Sequence, residues 1–171
     1  MSQFEPSDLY KSSAQLSAPS AEGSLENAEG SGGKPQPDNG RHGVVAIVVE
    51  EDRLLIIRRS PLVRAPNLLC LPGGGIEPGE TLNQAMHREM QEELGISIQV
   101  ERHLWSSVTR WGTRLEWLIC SRVDATEPKP NPWEVSEYLW MTLDELRGRD
   151  DLLGSLPDFF AAIDRQEISW P

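Results

Sequence analysis

Glu89, Glu92 and Glu93 stand within five residues of one another in the stretch "REMQEELGI", numbers 88–96. On a helix, side chains three and four apart are surface neighbours, and like charges at that spacing cost roughly a few tenths of a kcal/mol per pair. Carboxylate oxygens are the ligands that hard divalent cations prefer, so a bound magnesium or manganese ion would offset that repulsion. Immediately before the trio lies "LPGGGIEPGE", numbers 71–80, where missing side chains let backbone amides and carbonyls approach a ligand closely. The loop alone is equally well explained as a connection that needs positive φ angles. Together, loop and carboxylates point to a phosphate group held through a metal ion.

The element that must present the trio is a helix over "TLNQAMHREMQEEL", with Thr81 and Gln84 as a capping box and Gly95 as a left-handed C-terminal cap. With Leu82 at zero and roughly 100° per residue, Leu82, Ala85, Met86, Met90 and Leu94 form one apolar arc. Glu89 and Glu93 project at about 340° and about 20°, inside that arc, and Glu92 at about 280° lies on its edge. A solvated acidic face, the usual meaning of such a run, would have the opposite phase. Arg88 stands four residues before Glu92 and satisfies one carboxylate, leaving the others in need of a cation.

Around this helix the chain alternates. "GVVAIVVE" is a continuous apolar run suited to a strand covered on both faces, and "EDRLLIIRR" completes a hairpin with Glu51 and Asp52 at its turn. The segment 60–80 is too rich in Pro and Gly for regular structure through most of its length. "ISIQVERHLWSSVTR" and "TRLEWLICSRV" form a second hairpin, "WEVSEYLWM" a further strand, Thr142 and Glu145 a second capping box, and Ser155 the cap of a final helix through Asp164. Interleaved strands and helices without repeats make the class α/β or α+β. Residues 1–40, with five Gly, four Pro and eight Ser, form an expected disordered acidic tail, and residues 41–171 form the domain.

The net charge of −11 and pI near 4.7 disfavour long nucleic acids and anionic membranes, which reward Lys and Arg. No secretory leader and no membrane-length apolar stretch is evident, so a soluble cytoplasmic protein is expected. Two cysteines, Cys70 and Cys120, are too few for a disulfide framework and are expected to be buried thiols.

From Gly74, five residues lead to Glu80 and seven more to "REMQEELGI", and this spacing resembles the Nudix box, G-x5-E-x7-R-E-U-x-E-E-x-G-U with U a bulky aliphatic, at every defined position. Looser likeness runs from "VVAIVV" to "EVSEYLWMTLDEL". The resemblance implies a Nudix fold, an α/β/α sandwich with a mixed central sheet, and metal-dependent hydrolysis of a nucleoside diphosphate linked to another group, with Mg2+ or Mn2+ as cofactor. Carried over by position, Glu89, Glu92 and Glu93 resemble the metal ligands, and Gly74 the loop residue whose backbone helps hold the metal. Arg88 resembles the residue that orients the glutamates, and Glu80 a supporting carboxylate. In this family the general base is either a box glutamate or a carboxylate from a later loop, for which Glu134 and Glu137 are the local candidates. Period-two alternation puts Glu137 on one face with Val135, Leu139 and Met141, where it serves either function or an edge salt bridge.

Substrate markers are sparse. No Pro or Tyr occurs between Gly95 and Glu127, which removes the markers associated with ADP-ribose and with dinucleoside polyphosphates. "RRSPLVRAPNLLCLPGG" is similar to the coenzyme A type in its Arg and Leu positions but lacks its His and Gly-Gln-Val. Trp111 is the candidate for stacking on a base, and Arg58, Arg59 and Arg64 for meeting phosphates, with solubility the simpler explanation for at least one of them. The expected activity is hydrolysis of a small nucleotide by water attack on phosphorus, and the resemblance leaves open a homodimer, an arrangement common in the family. The alternative is a nucleotide-binding sensor that keeps the fold without turnover.

Overall fold

The structure, a computed structural model, describes residues 40–169, so the expected tail up to Asn39 lies outside the described residues. Strand β1 (His42–Glu50) turns back into β2 (Arg53–Arg59) through Glu51 and Asp52, both at positive φ, as a two-residue hairpin turn requires. Then follow β3 (Leu69–Cys70), helix α1 (Leu82–Leu94), β4 (Ile98–Val108), β5 (Arg114–Arg122), β6 (Val135–Met141), α2 (Leu143–Arg147) and α3 (Ser155–Asp164). The two hairpins, the strand at 135–141 and both capping boxes stand where the sequence puts them.

The six strands make one mixed sheet in which β1 pairs β5 in parallel and the other pairings are antiparallel. Beyond the hairpin turn β1 and β2 part. Only Val49 and Glu50 pair with Leu54 and Arg53; the opposite edge of β2 is occupied by β6 and the opposite edge of β1 by β5. The wedge between them is filled by β3 and the glycine loop. Leu69 and Cys70 pair with Arg58 and Ile57, while Val44 N–H donates to Gly74 O and Ala46 N–H to Pro72 O, both at 2.9 Å. The glycine loop is thereby hydrogen-bonded into the middle of the sheet.

Alternation along β1 serves two cores. Val44, Ala46 and Val48 face α1, whose Met86, Met90 and Leu94 are fully buried, each contributing about 1.5–3 kcal/mol through burial. Val45 and Ile47 face the other layer, where Trp117 stacks on Phe159 of α3 with centroids 4.9 Å apart. Two helical layers enclose the sheet, the α/β/α sandwich expected.

Two local expectations change. Ser155 is the first residue of α3, and the N-cap is Gly154, which offers no side-chain bond. A bulge on β6 also breaks the expected alternation: Arg59 pairs with Val135 and Arg58 with Glu137, skipping Ser136. Val135 therefore joins the α1 core, while Leu139 and Met141 join the other. Cys70 and Cys120 are free, buried thiols, and burial pushes both up to about 12. No helix among the described residues is long and apolar enough to cross a membrane.

Candidate active site

The α1 phase comes out as its sequence dictates: Glu89 and Glu93 are 8% and 5% exposed, and Glu92 is exposed. Arg88 does more than its spacing alone indicates. Its guanidinium contacts Glu80 through Nε and Nη2 at 2.8 and 2.9 Å, Glu89 and Glu92 through Nη1 at 2.8 and 3.1 Å, and the Gly75 carbonyl at 2.7 Å. One cation thus holds three carboxylates and the glycine loop together, and Arg88 together with the Glu77 backbone N–H pulls the Glu80 carboxyl down to about 2.

Glu93 is outside that arrangement. Its Oε2 accepts the Gly73 N–H at 2.8 Å, and burial, reinforced by the charges of Glu89 and Glu134, pushes its carboxyl up to about 8. Burial also raises Glu89, against the pull of Arg88 and with the push of Glu92 and Glu134. The glycines make this proximity possible. A Cβ on Gly74 would stand 2.5 Å from Glu89 Oε2, and one on Gly73 only 2.2 Å from Val44 O.

Glu134 arrives from the loop before β6, which is fastened on two sides. Asn131 N–H donates to Glu93 O at 2.9 Å and Lys129 N–H to Leu94 O at 2.7 Å, while Ser60 N–H donates to Glu134 O at 2.8 Å. Glu137 is placed differently: its carboxylate receives Arg58 Nε at 2.6 Å. Arg58 also donates through Nη1 to Asp151 and to Asn67 O, so its Nε and Nη1 serve structure.

Beside the loop runs a cleft of about 530 Å3, bordered by residues 73–75 and walled by apolar residues including Leu71, Leu115 and Trp117. It continues into a second hollow of about 700 Å3 lined by Arg41, Arg59, Arg64, Trp111 and Thr113. None of the α1 glutamates lines either hollow among the described residues; the bridge to them is Arg59, whose charge lowers Glu93. Arg59, Arg64 and Trp111, singled out in the sequence, therefore share one cavity. Arg41 was missed, since it stands where the tail gives way to the domain, and only the cavity it shares with Arg59 reveals it.

Among the described residues no three His, Cys, Asp or Glu side chains converge into a ready cage. The donor set nonetheless fits a hard divalent cation. Glu89, Glu93 and Glu134 repel one another around a loop that brings only one N–H to Glu93, an imbalance that a 2+ ion would relieve.

A family model described as the NUDIX domain matches residues 40–162. An NAD-capped RNA hydrolase of Chromobacterium violaceum is 30% identical over 102 residues, 60% of this chain but only 38% of that protein. The chain thus spans well under half the length of that relative. An 8-oxo-dGTP diphosphatase of Escherichia coli is 36% identical over 105 residues, 59% of this chain and 78% of that protein. A crystal structure of a MutT protein from Methanosarcina mazei superposes with a TM-score of 0.62 at 25% identity, covering 79% of this chain and 99% of that one.

Proposed function

Since the chain belongs to the Nudix hydrolase family, we propose that it hydrolyses a diphosphate linkage in a small nucleotide, a nucleoside triphosphate or a nucleoside diphosphate derivative, by attack of water on phosphorus. The observation that carries this reading is the surplus of carboxylates at Glu89, Glu93 and Glu134 beside an arginine-lined cleft.

Hydrolases of this family generally use divalent metal ions, and we assign Mg2+ or Mn2+ here; when bound, the ion neutralises the diphosphate and acidifies a water. Glu89, Glu92 and Glu93 are the residues that would hold it. The Gly74 carbonyl would join them, because its bond to Val44 N–H uses only one of its two lone pairs. Arg88 keeps Glu89 and Glu92 aimed, and Glu80 keeps Arg88 in place.

For the proton of the attacking water we favour Glu134 over Glu137. Glu134 lies close enough to Glu89 and Glu93 to raise both, and its carboxylate has no hydrogen bond among the described residues, whereas Glu137 is held by Arg58. Arg59 and Arg64 meet the phosphates and Trp111 the base. The relatives' names, an NAD-capped RNA hydrolase and an 8-oxo-dGTP diphosphatase, support a nucleotide derivative.

The test is a hydrolysis screen in Mg2+ and then Mn2+ over nucleoside triphosphates, oxidised nucleotides, nucleotide sugars, ADP-ribose, dinucleotides and coenzyme A, with products identified by mass. Turnover that Glu93→Gln lowers by about 10²–10⁴-fold is the expected result. Nucleotide binding without turnover across the panel would replace the hydrolase with a sensor.

A further inference from the structure

A hydroxyl lies buried where β2 ends: Ser60, only 1% exposed, directly follows Arg59. Its backbone N–H donates to Glu134 O at 2.8 Å, and its carbonyl receives Val63 N–H at 3.3 Å. Its Oγ donates to Pro132 O at 2.9 Å while receiving Leu62 N–H at 3.3 Å. A sealed hydroxyl must find partners, and a serine buried for packing alone could find them within its own turn. This one takes a bond from its own turn and gives one across to the loop before β6.

That loop holds a carboxylate among others of its own sign. Asn131 N–H is bonded to Glu93 O at 2.9 Å, the amides of Glu134 and Val135 both donate to Asn131 O, at 2.9 and 2.7 Å, and Val135 is fully buried in the α1 core. The turn thereby delivers Glu134 to the C-terminal half of α1, where its charge raises Glu89 and Glu93. In the metal-free chain their mutual repulsion acts to swing the turn outward. Pro132, inside the turn, has no N–H, so its carbonyl is its one backbone means of attachment. Among the described residues, Ser60 is the only side chain from outside the loop that is hydrogen-bonded to residues 129–134.

Ser60 also adjoins the phosphate side of the site. Arg59 N–H donates to Leu68 O, Asn67 N–H to Arg59 O, and Arg59 Nε to Arg64 O at 2.9 Å, so the loop bearing both cleft arginines closes on the residue before Ser60. One buried hydroxyl joins the arginine loop to the glutamate loop. We propose that Ser60 is a positioning residue: by holding Pro132 O, its hydroxyl keeps the Glu134 carboxylate beside Glu89 and Glu93 against their like charge. Its catalytic meaning rests on the reading above, in which Glu134 takes the proton of the attacking water. A Mg2+ ion at the α1 glutamates is attracted by every carboxylate held near it, so Mg2+ affinity reports where Glu134 stands independently of turnover.

The test is a double-mutant cycle of Ser60→Ala and Glu134→Gln on the full chain, read as Mg2+ affinity by calorimetry. Ser60→Ala should weaken Mg2+ by about threefold and Glu134→Gln by about tenfold. The double variant should bind no more weakly than Glu134→Gln alone, and Ser60→Thr, which keeps the hydroxyl, should bind as the parent does. With the nucleotide that the hydrolysis screen identifies, Ser60→Ala should lower kcat by about tenfold while KM stays within about twofold. If Ser60→Ala does not fold, Ser60→Cys, a weaker donor, takes its place. An affinity that Ser60→Ala leaves unchanged, or lowers by the same factor in the Glu134→Gln background, overturns the inference. So does a Glu134→Gln variant that binds Mg2+ as tightly as the parent. Absence of turnover in the parent is a separate result: it removes the hydrolase, while a cycle that closes on Glu134 still assigns Ser60 the placing of that carboxylate.

Discussion

Two groups of acidic side chains lie on opposite layers of the same sheet and behave in opposite ways. At the outer end of β2, Asp151 receives both Arg58 and Arg149, and Glu137 receives Arg58 at 2.6 Å. Those guanidiniums hold the Asp151 carboxyl well below the usual range, and the carboxylates in turn raise Arg58. Under α1, a single Arg88 serves Glu80, Glu89 and Glu92, nothing of opposite charge among the described residues bonds Glu93, and Glu89 and Glu93 are both raised. The first group is complete as it stands. The second is electrostatically unfinished, and buried, which is the condition under which a charge costs most unless something arrives to pair it. What separates structural carboxylates from candidate ligands here is the balance of partners, not the residue type.

The harshest way to break this contrast is at the glycines. Gly73→Ala places a methyl against Val44 O at a φ of +138° and disturbs the N–H that Glu93 uses. It should cost about 3 kcal/mol or more in chemical denaturation, since strain at such a φ alone is worth about 1–3 kcal/mol. Gly74→Ala first meets the end of the Glu89 side chain, which can swing aside, so calorimetry should show weaker Mg2+ binding with a smaller loss of stability. Equal stability losses in the two variants would sink the distinction between fold and site glycines.

A pH series sharpens the contrast further. Glu93, pushed up from 4.5 to about 8, keeps in the folded chain a proton that the unfolded chain has released. In chelator, the contribution of this group to stability is therefore present below pH about 4.5 and is lost as pH rises towards about 8. Added Mg2+ should return it, because a ligand of the folded state alone stabilises that state. Asp151 runs the other way: its depressed carboxyl adds stability above its unfolded value of 3.8, lost as pH falls further. Metal-free melting temperatures that climb from pH 5 to 8 would contradict the assignment to Glu93.

The smallest effect belongs to Glu137→Gln. Glu137 is about half exposed in its pair with Arg58, and exposed pairs are worth about 0.2–1 kcal/mol. Urea denaturation should register no more than that, and turnover should stay within about twofold, while Glu134→Gln lowers kcat.

The α1 helix was legible because caps and phase are local: Thr81, Gln84 and Gly95 act within the segment, and a 3.6-residue period puts Glu89 and Glu93 among methionines whatever surrounds them. The hairpins were legible for the same reason. The wedge was not, since nothing in "LPGG" announces that Pro72 and Gly74 bond to Ala46 and Val44 nearly thirty residues away in the chain. The bulge at Ser136 was equally hidden, and with it the separation of Val135 from the face of Leu139. Spacing gave Arg88 one partner, Glu92; Glu80 lies eight residues off and reaches it only because the loop folds back. Trp133, read in the sequence as the first residue of a strand, stands exposed in the loop before β6, because exposure is settled by where the cores close.

The wedge has a consequence for motion. Ligand-contacting loops usually open on their own at little cost, ahead of the rest of the molecule. Here the carbonyls of Pro72 and Gly74 receive amides of the central strand β1, and Ile76 N–H returns a bond to His42 O. Releasing the loop means unzipping one edge of that strand, so the amides of Val44, Ala46 and Ile76 should exchange with deuterium as slowly as those between β1 and β5. The loop beside the carboxylates then keeps its shape between one ligand and the next.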